Sequence, residues 1–169
     1  MSDELKTLRL EREGPVQHVV LNRPEVHDAF DDVMIGELTA AFTSISNDDD
    51  VRVVLLRSTG KHFSAGADLN WMRRIADYSE EENREDARTL EKMFRAIAEC
   101  SKPVVARVQG AALGGGSGLT ATADIAVASN RAFFGFTEAR LGILPAVISP
   151  YVLRKVHSGV AQAIFLTGE

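Results

Sequence analysis

Lys102-Pro103-Val104-Val105-Ala106-Arg107-Val108-Gln109-Gly110-Ala111-Ala112-Leu113-Gly114-Gly115-Gly116-Ser117-Gly118 is the stretch on which the fold turns. Pro103 opens Val104 to Val108, a short apolar run of the kind that forms a buried strand. Five of the nine residues from Gly110 to Gly118 are glycine, so the backbone there can approach a neighbour or a ligand with no Cβ in the way. The run leads into a helix. With Gly114-Gly115-Gly116 at the helix start, free N–H groups and the positive end of the helix dipole would face a negative oxygen. The plain alternative is a tight strand-to-helix turn. No Gly-Lys-Ser/Thr follows, and the glycine spacing is not that of a dinucleotide site.

Moving outward, the same alternation of strands and helices recurs. Leu8 and Leu10 flank Arg9, Gly14-Pro15 marks a turn, and Val16 to Leu21 follows, which reads as a hairpin. Asp31 or Asp32 caps a helix carrying Ile35, Leu38, Phe42 and Ile45 at spacings of three and four. Val51 to Leu56 reads as a strand buried on both faces. A small-residue loop, Ser58 to Leu69, comes next. Ser79 and Glu82 form a capping box for a helix with Ala87, Leu90, Phe94, Ile97 and Ala98 on one stripe. Downstream, Asp124 to Ala128 and Ala132 to Phe136 read as strands, and Val147–Val156 and Val160–Leu166 as helical. The class is α/β, in a single domain covering 1–169.

Composition narrows the function. The 169 residues carry 19 Lys and Arg against 24 Asp and Glu, a net charge of −5. That disfavours a sequence-independent nucleic-acid binder, which needs a basic surface. The single cysteine, Cys100, excludes an intramolecular disulfide and reads as core packing. The N-terminus, Met1-Ser2-Asp3-Glu4-Leu5-Lys6, is charged and has no apolar h-region, and no apolar run reaches the length of a membrane span. A cytoplasmic protein is the expectation.

Three features carry candidate chemistry. The loop Ser64-Ala65-Gly66-Ala67-Asp68-Leu69 also follows an apolar strand and can present a backbone N–H. Two such donors from two loops make an oxyanion hole. Glu138, in Phe133-Phe134-Gly135-Phe136-Thr137-Glu138-Ala139-Arg140, lies among apolar residues, which disfavour its charged form and suit it to acid/base work. Its bland reading is a salt bridge to Arg140. His18, His27, His62 and His157 show no metal-ligand spacing, so no metal is expected. Asp124 reads as a structural hydrogen-bonding residue, and Glu80–Glu85 as a solvated helix start. Trp71 and Met72 are placed to flank a pocket or to pack.

Several ordered segments together resemble the enoyl-CoA hydratase/isomerase (crotonase) superfamily. They are Phe63-Ser64-Ala65-Gly66-Ala67-Asp68-Leu69, Lys102-Pro103-Val104-Val105-Ala106, Gly110 to Gly116, Ala123-Asp124-Ile125, and Phe136 to Pro145. Leu21-Asn22-Arg23-Pro24 fits the N-terminal signature. The resemblance implies a spiral of strand–strand–helix turns that binds acyl-coenzyme A. It implies that the N–H groups of Ala67 and Gly115 hold the thioester oxygen and that Glu138 is the acid/base. It places Ala65, Gly66, Asp68, Leu69, Gly114 and Gly118 against the substrate. Coenzyme A is part of that substrate, and no separate cofactor is implied. The family assembles as trimers or dimers of trimers and continues into C-terminal helices, which this sequence stops short of at Glu169.

The departures set the alternatives. Two-carboxylate hydratases carry a Glu where this chain has Gly118. One Glu can serve hydration if water is positioned otherwise, or can shuttle a proton as single-Glu isomerases do. The sequence around Leu144-Pro145-Ala146-Val147-Ile148-Ser149-Pro150 looks like bacterial 3-methylglutaconyl-CoA and isohexenylglutaconyl-CoA hydratases. Their substrates carry a distal carboxylate, for which Arg140 and Arg154 are candidate partners. Gly118 would then make room for the branch or for a water. Asp28 stands where the signature usually has Asn. The expected activity is hydration of an enoyl-CoA, with isomerisation, or acyl-CoA binding with weak catalysis, as alternatives.

Overall fold

The computed structural model describes residues 5–168. The charged Met1–Glu4 and the final Glu169 lie outside the described residues. Strands β1 (Leu8–Glu13) and β2 (Val16–Leu21) form the expected antiparallel hairpin, with Glu13 opposite Val16 across Gly14. Gly14 takes φ 55°, where a side chain would be strained. Three further strands extend the sheet in parallel: β3 (Val53–Ser58), β4 (Val104–Val108) and β6 (Ile125–Ala128), giving the order β1-β2-β3-β4-β6.

A second, smaller layer runs beside the first. Strands β5 (Ala111–Leu113) and β7 (Phe133–Gly135) pair in parallel, and single bridges Ser64–Ala112 and Phe30–Ala67 carry the layer on. Each turn of chain thus adds one strand to the large sheet and one short extended segment to the small one before a helix returns. That is the strand–strand–helix spiral.

The helices cover one face of the large sheet. Helix α1 (Asp32–Ser46) starts where Asp31 accepts the Met34 N–H at 3.0 Å. Helix α3 (Glu80–Ala98) starts at the Ser79–Glu82 capping box. Met34, Leu38, Phe42, Met93, Phe94 and Ile97 from these two helices meet Val19, Leu56, Val104 and Ala106 from the strands in one core. Burial of each such large side chain contributes about 1.5–3 kcal/mol. Asp124 plays its structural part, accepting the Val104 N–H at 2.8 Å to fix β4.

The structure departs from the sequence reading at five points. Val51 is buried but precedes β3, and only alternate residues of β3 are fully buried. The other face carries Arg57, which bonds Glu11 at 2.6 Å and so holds a charged surface rather than a second core layer. Strand β6 is exposed along its length, with Ile125 and Val127 each 56% accessible, and it is an edge strand paired only to β4. The glycine loop contains β5, too short to show a periodicity. The loop before α3 contains helix α2 (Leu69–Ile75), whose cap Asp68 is described below. In place of a helix over Val147–Val156, α5 spans Ser149–Val152 only; α6 follows at Ser158–Thr167. No helix among the described residues is long and apolar enough to cross a membrane.

Candidate active site

Two chain corners and one short turn converge on an apolar cavity of about 370 Å³. The first corner is Ser64–Leu69. Phe30 donates its N–H to the Gly66 carbonyl at 2.8 Å, and Asp68 donates to the Phe30 carbonyl at 3.0 Å. In a parallel bridge of this kind the intervening residue turns its own N–H away from the partner. Ala65 and Gly66 spend their N–H groups on His27 O and Ser64 Oγ. Among the described residues the N–H groups of Ala67 and of Leu69, the first residue of α2, have no partner in this corner.

Asp68 ends the corner. Its carboxylate accepts the N–H groups of Asn70 (2.8 Å) and Trp71 (3.3 Å), and Arg23 pairs with it at 3.0 Å. Burial pushes this carboxyl up. The two N–H donors and Arg23 outweigh that and hold it below the usual carboxylate range. Asp68 is a helix cap and an ion-pair partner, and it does not line the cavity.

The second corner is Leu113–Gly118. Here helix α4 (Gly115–Thr122) begins with no side-chain cap. Gly114 takes φ 50° and gives its N–H to the Gly135 carbonyl at 2.8 Å. The N–H of Gly115, the first of the helix, has no hydrogen-bond partner among the described residues. Each glycine of the triplet faces a different close neighbour. A Cβ at Gly114 would lie 3.1 Å from Glu138 Oε1, one at Gly115 would collide with the Phe30 ring, and one at Gly116 with the Ser64 carbonyl. The two corners touch: a Cβ at Gly66 would stand 2.6 Å from Leu113 O and 3.3 Å from Gly115 N.

Glu138 arrives from the turn after β7. A 3-10 helix over Thr137–Leu141 carries it, closed by Gly142 in the left-handed region. Its Oε2 is buried and has no hydrogen-bond partner among the described residues. Burial raises its pKa above the usual carboxylate range, with only a backbone N–H opposing. No ion pair to Arg140 forms among the described residues, so the salt-bridge reading fails. An unpaired carboxyl of this kind, aimed at a cavity, is suited to proton transfer.

The cavity lining gathers Ala65, Ala67, Leu69, Gly114, Gly115 and Glu138 from the expected residues, and Trp71 and Met72 join them. Gly66 supports the lining from behind. Gly118 does not reach it, because Ile148 and Phe94 fill the space where its side chain would be. The expectation that Gly118 makes room for substrate or water is thereby corrected. Arg140 and Arg154 do not line the cavity either, and the Arg154 guanidinium sits 5.9 Å from the Tyr151 ring centre. Sequence reasoning missed Asn83 and Asp86. Both lie on the cavity side of α3, at the spacing that puts them beside Ala87 and Leu90. The apolar stripe was legible; the two polar residues adjoining it were the available signal.

A spiral of strand–strand–helix turns, with one strand of each turn in the large sheet and one short segment in the small layer, is the crotonase class of fold. The enoyl-CoA hydratase/isomerase family model matches residues 11–169, and the chain belongs to that family. It is 36% identical over 168 residues to the short-chain-enoyl-CoA hydratase of Clostridium acetobutylicum, covering 98% of this chain and 63% of the relative. It is 33% identical over 149 residues to a peroxisomal Δ(3,5)-Δ(2,4)-dienoyl-CoA isomerase of Arabidopsis thaliana, covering 83% of this chain and 54% of the relative. A solved enoyl-CoA hydratase from Shewanella pealeana superposes with a TM-score of 0.96 at 42% identity, over 98% of this chain and 63% of that one. The chain thus spans less than two thirds of the length of these relatives.

Proposed function

We propose that the protein adds water across the double bond of an α,β-unsaturated acyl-CoA. The observation that supports this reading is that Ala67 and Gly115, whose N–H groups have no partner among the described residues, line one apolar cavity together with Glu138, whose buried Oε2 has none either. The Glu138 carboxylate takes a proton from water as the water oxygen bonds to Cβ. Electron density moves through the Cα–C bond onto the thioester oxygen, where the two N–H groups stabilise the enolate. Glu138 then returns the proton to Cα, so that H and OH are added in total. Each such N–H donor contributes about 3–4 kcal/mol of barrier lowering.

Isomerisation is the second reading. What favours it is that Glu138 stands without a carboxylate at position 118, which is glycine packed under Ile148. One carboxyl suffices to carry a proton between Cα and Cγ. For the acyl chain, a glutaconyl-type group needs a cation or donor at its distal end. The lining residues of this chain include no Lys, Arg or His, which supports an acyl chain without that carboxylate.

The test offers the full-length natural protein a 2-enoyl-CoA and a 3-enoyl-CoA and reads products by mass. Gain of one water on the 2-enoyl-CoA, lost in Glu138→Gln, is the expected result. Conversion of the 3-enoyl-CoA with no change in mass, and no hydration, would replace the hydratase reading by the isomerase one. Binding without either reaction would leave an acyl-CoA-binding protein.

A further inference from the structure

One wall of the cavity is built by α3, which presents Asn83, Asp86, Ala87 and Leu90 at the i, i+3, i+4, i+7 spacing of a single helical face. The mechanism above uses none of them. Asp86 is half-buried and forms no ion pair among the described residues. The nearby Arg74 is committed to Asp32 at 2.6 Å, and the Trp71 side chain is the one hydrogen-bonding neighbour of the Asp86 carboxyl. Asn83 gives one amide N–H to the Tyr78 carbonyl at 3.1 Å, which leaves its second N–H and Oδ1. The acceptor-only group this wall brings to the cavity is therefore the Asp86 carboxylate. Burial and the Asp32 charge both raise the Asp86 pKa, as expected of a carboxyl short of donors.

We propose that Asp86 is a specificity-determining residue that favours acyl chains carrying a hydrogen-bond donor, such as a hydroxyl, and turns away chains ending in a carboxylate. The inference rests on the acyl-CoA reading above and names its substrate class. A hydroxyl on the chain gives the carboxyl a second donor beside Trp71, and a hydrogen bond to a charged group is stronger than a neutral one. A plain alkyl chain strips water from Asp86 and returns nothing. A distal carboxylate is set beside a like charge, with no cation on the lining to offset it.

The test uses the one tryptophan of this sequence, Trp71, which lines the cavity and reports binding without turnover. Hexanoyl-, 6-hydroxyhexanoyl- and adipoyl-CoA, which have no double bond to react, are titrated by its fluorescence in the full-length protein, in Asp86→Asn and in Asp86→Leu. The hydroxy compound is expected to bind about tenfold tighter than hexanoyl-CoA, and adipoyl-CoA about tenfold weaker. In Asp86→Leu the hydroxyl preference vanishes. In Asp86→Asn, whose amide can donate, the adipoyl penalty shrinks. Ratios that stay the same in both variants would overturn this inference and leave the acyl-CoA reading standing. Failure of wild type to bind any of the three would overturn both.

Discussion

The corners at Ser64–Leu69 and Leu113–Gly118 do the same thing in opposite ways. Each carries the chain from the strand layers into a helix, and each places on the cavity lining a residue, Ala67 or Gly115, whose N–H has no partner among the described residues. The first corner ends on a charged cap: Asp68 takes the opening N–H groups of α2, and its free donor, at Ala67, comes from the bridge to Phe30. The second corner has no cap, and its free donor, at Gly115, is the opening N–H of α4 itself. Capping quenches a helix start, and omitting the cap keeps it available to a ligand. The two carboxyls differ accordingly. Asp68 is held ionised by the donors around it, whereas Glu138, against the uncapped corner, is left without them and pushed toward its neutral form.

The largest break in this comparison is expected from Glu138→Gln, which removes the proton carrier and keeps the shape. Turnover of an enoyl-CoA should fall by about 10²- to 10⁴-fold, while acyl-CoA binding read by Trp71 fluorescence changes little. Retained turnover would mean that the two corners serve chemistry led by another group.

Gly115→Ala tests the uncapped corner. The new Cβ collides with Phe30, so either the ring or the helix start must shift. A displaced donor should lower turnover by about 10²- to 10³-fold, and overpacking should cost about 1–3 kcal/mol in urea unfolding. Unaltered kinetics would show that this N–H is not used.

Asp68→Ala tests the capped corner. Loss of the cap should cost about 1 kcal/mol of stability. Asp68→Asn, which still caps, should recover much of it, since Arg23 keeps Asp31 as a partner at 3.2 Å. Equal loss in both variants would assign the effect to the ion pair instead.

The smallest effect sharpens the contrast through pH. The Asp68 pKa is lowered, so its contribution is present above the usual carboxylate range and is lost as pH falls through its folded pKa. The Glu138 pKa is raised, so its contribution is present in acid and is lost as pH rises through its folded pKa. Thermal unfolding across pH should therefore show wild type gaining on Asp68→Asn with rising pH and losing ground to Glu138→Gln. Parallel trends would contradict the opposed environments.

Much of this was readable in the chain alone. The α1 and α3 stripes, their caps at Asp31 and Ser79, the hairpin and the two small-residue corners depend on contacts between near neighbours, and periodicity and capping report those directly. Ala67, Gly115 and Glu138 were singled out by motif, and the fold does bring them to one cavity. Strand β5 escaped because it is three residues long in a glycine-rich run, and helix α2 because its seven residues bury only Trp71 and so show no periodic stripe.

Long-range packing decided the rest. Gly118 is adjacent in sequence to the glycine triplet, yet the triplet meets Glu138, Phe30 and Ser64 while Gly118 meets Ile148 and Phe94. The Asp68–Arg23 ion pair and the place of Asp86 beside Trp71 likewise depend on segments that the spiral brings near. The sequence by itself determined which segments become strands, helices and corners, because those choices are made by residues three or four positions apart. Only the tertiary structure decided which N–H groups stay unbonded and which carboxyl stays unpaired, because each of those outcomes depends on what a distant segment leaves unsatisfied.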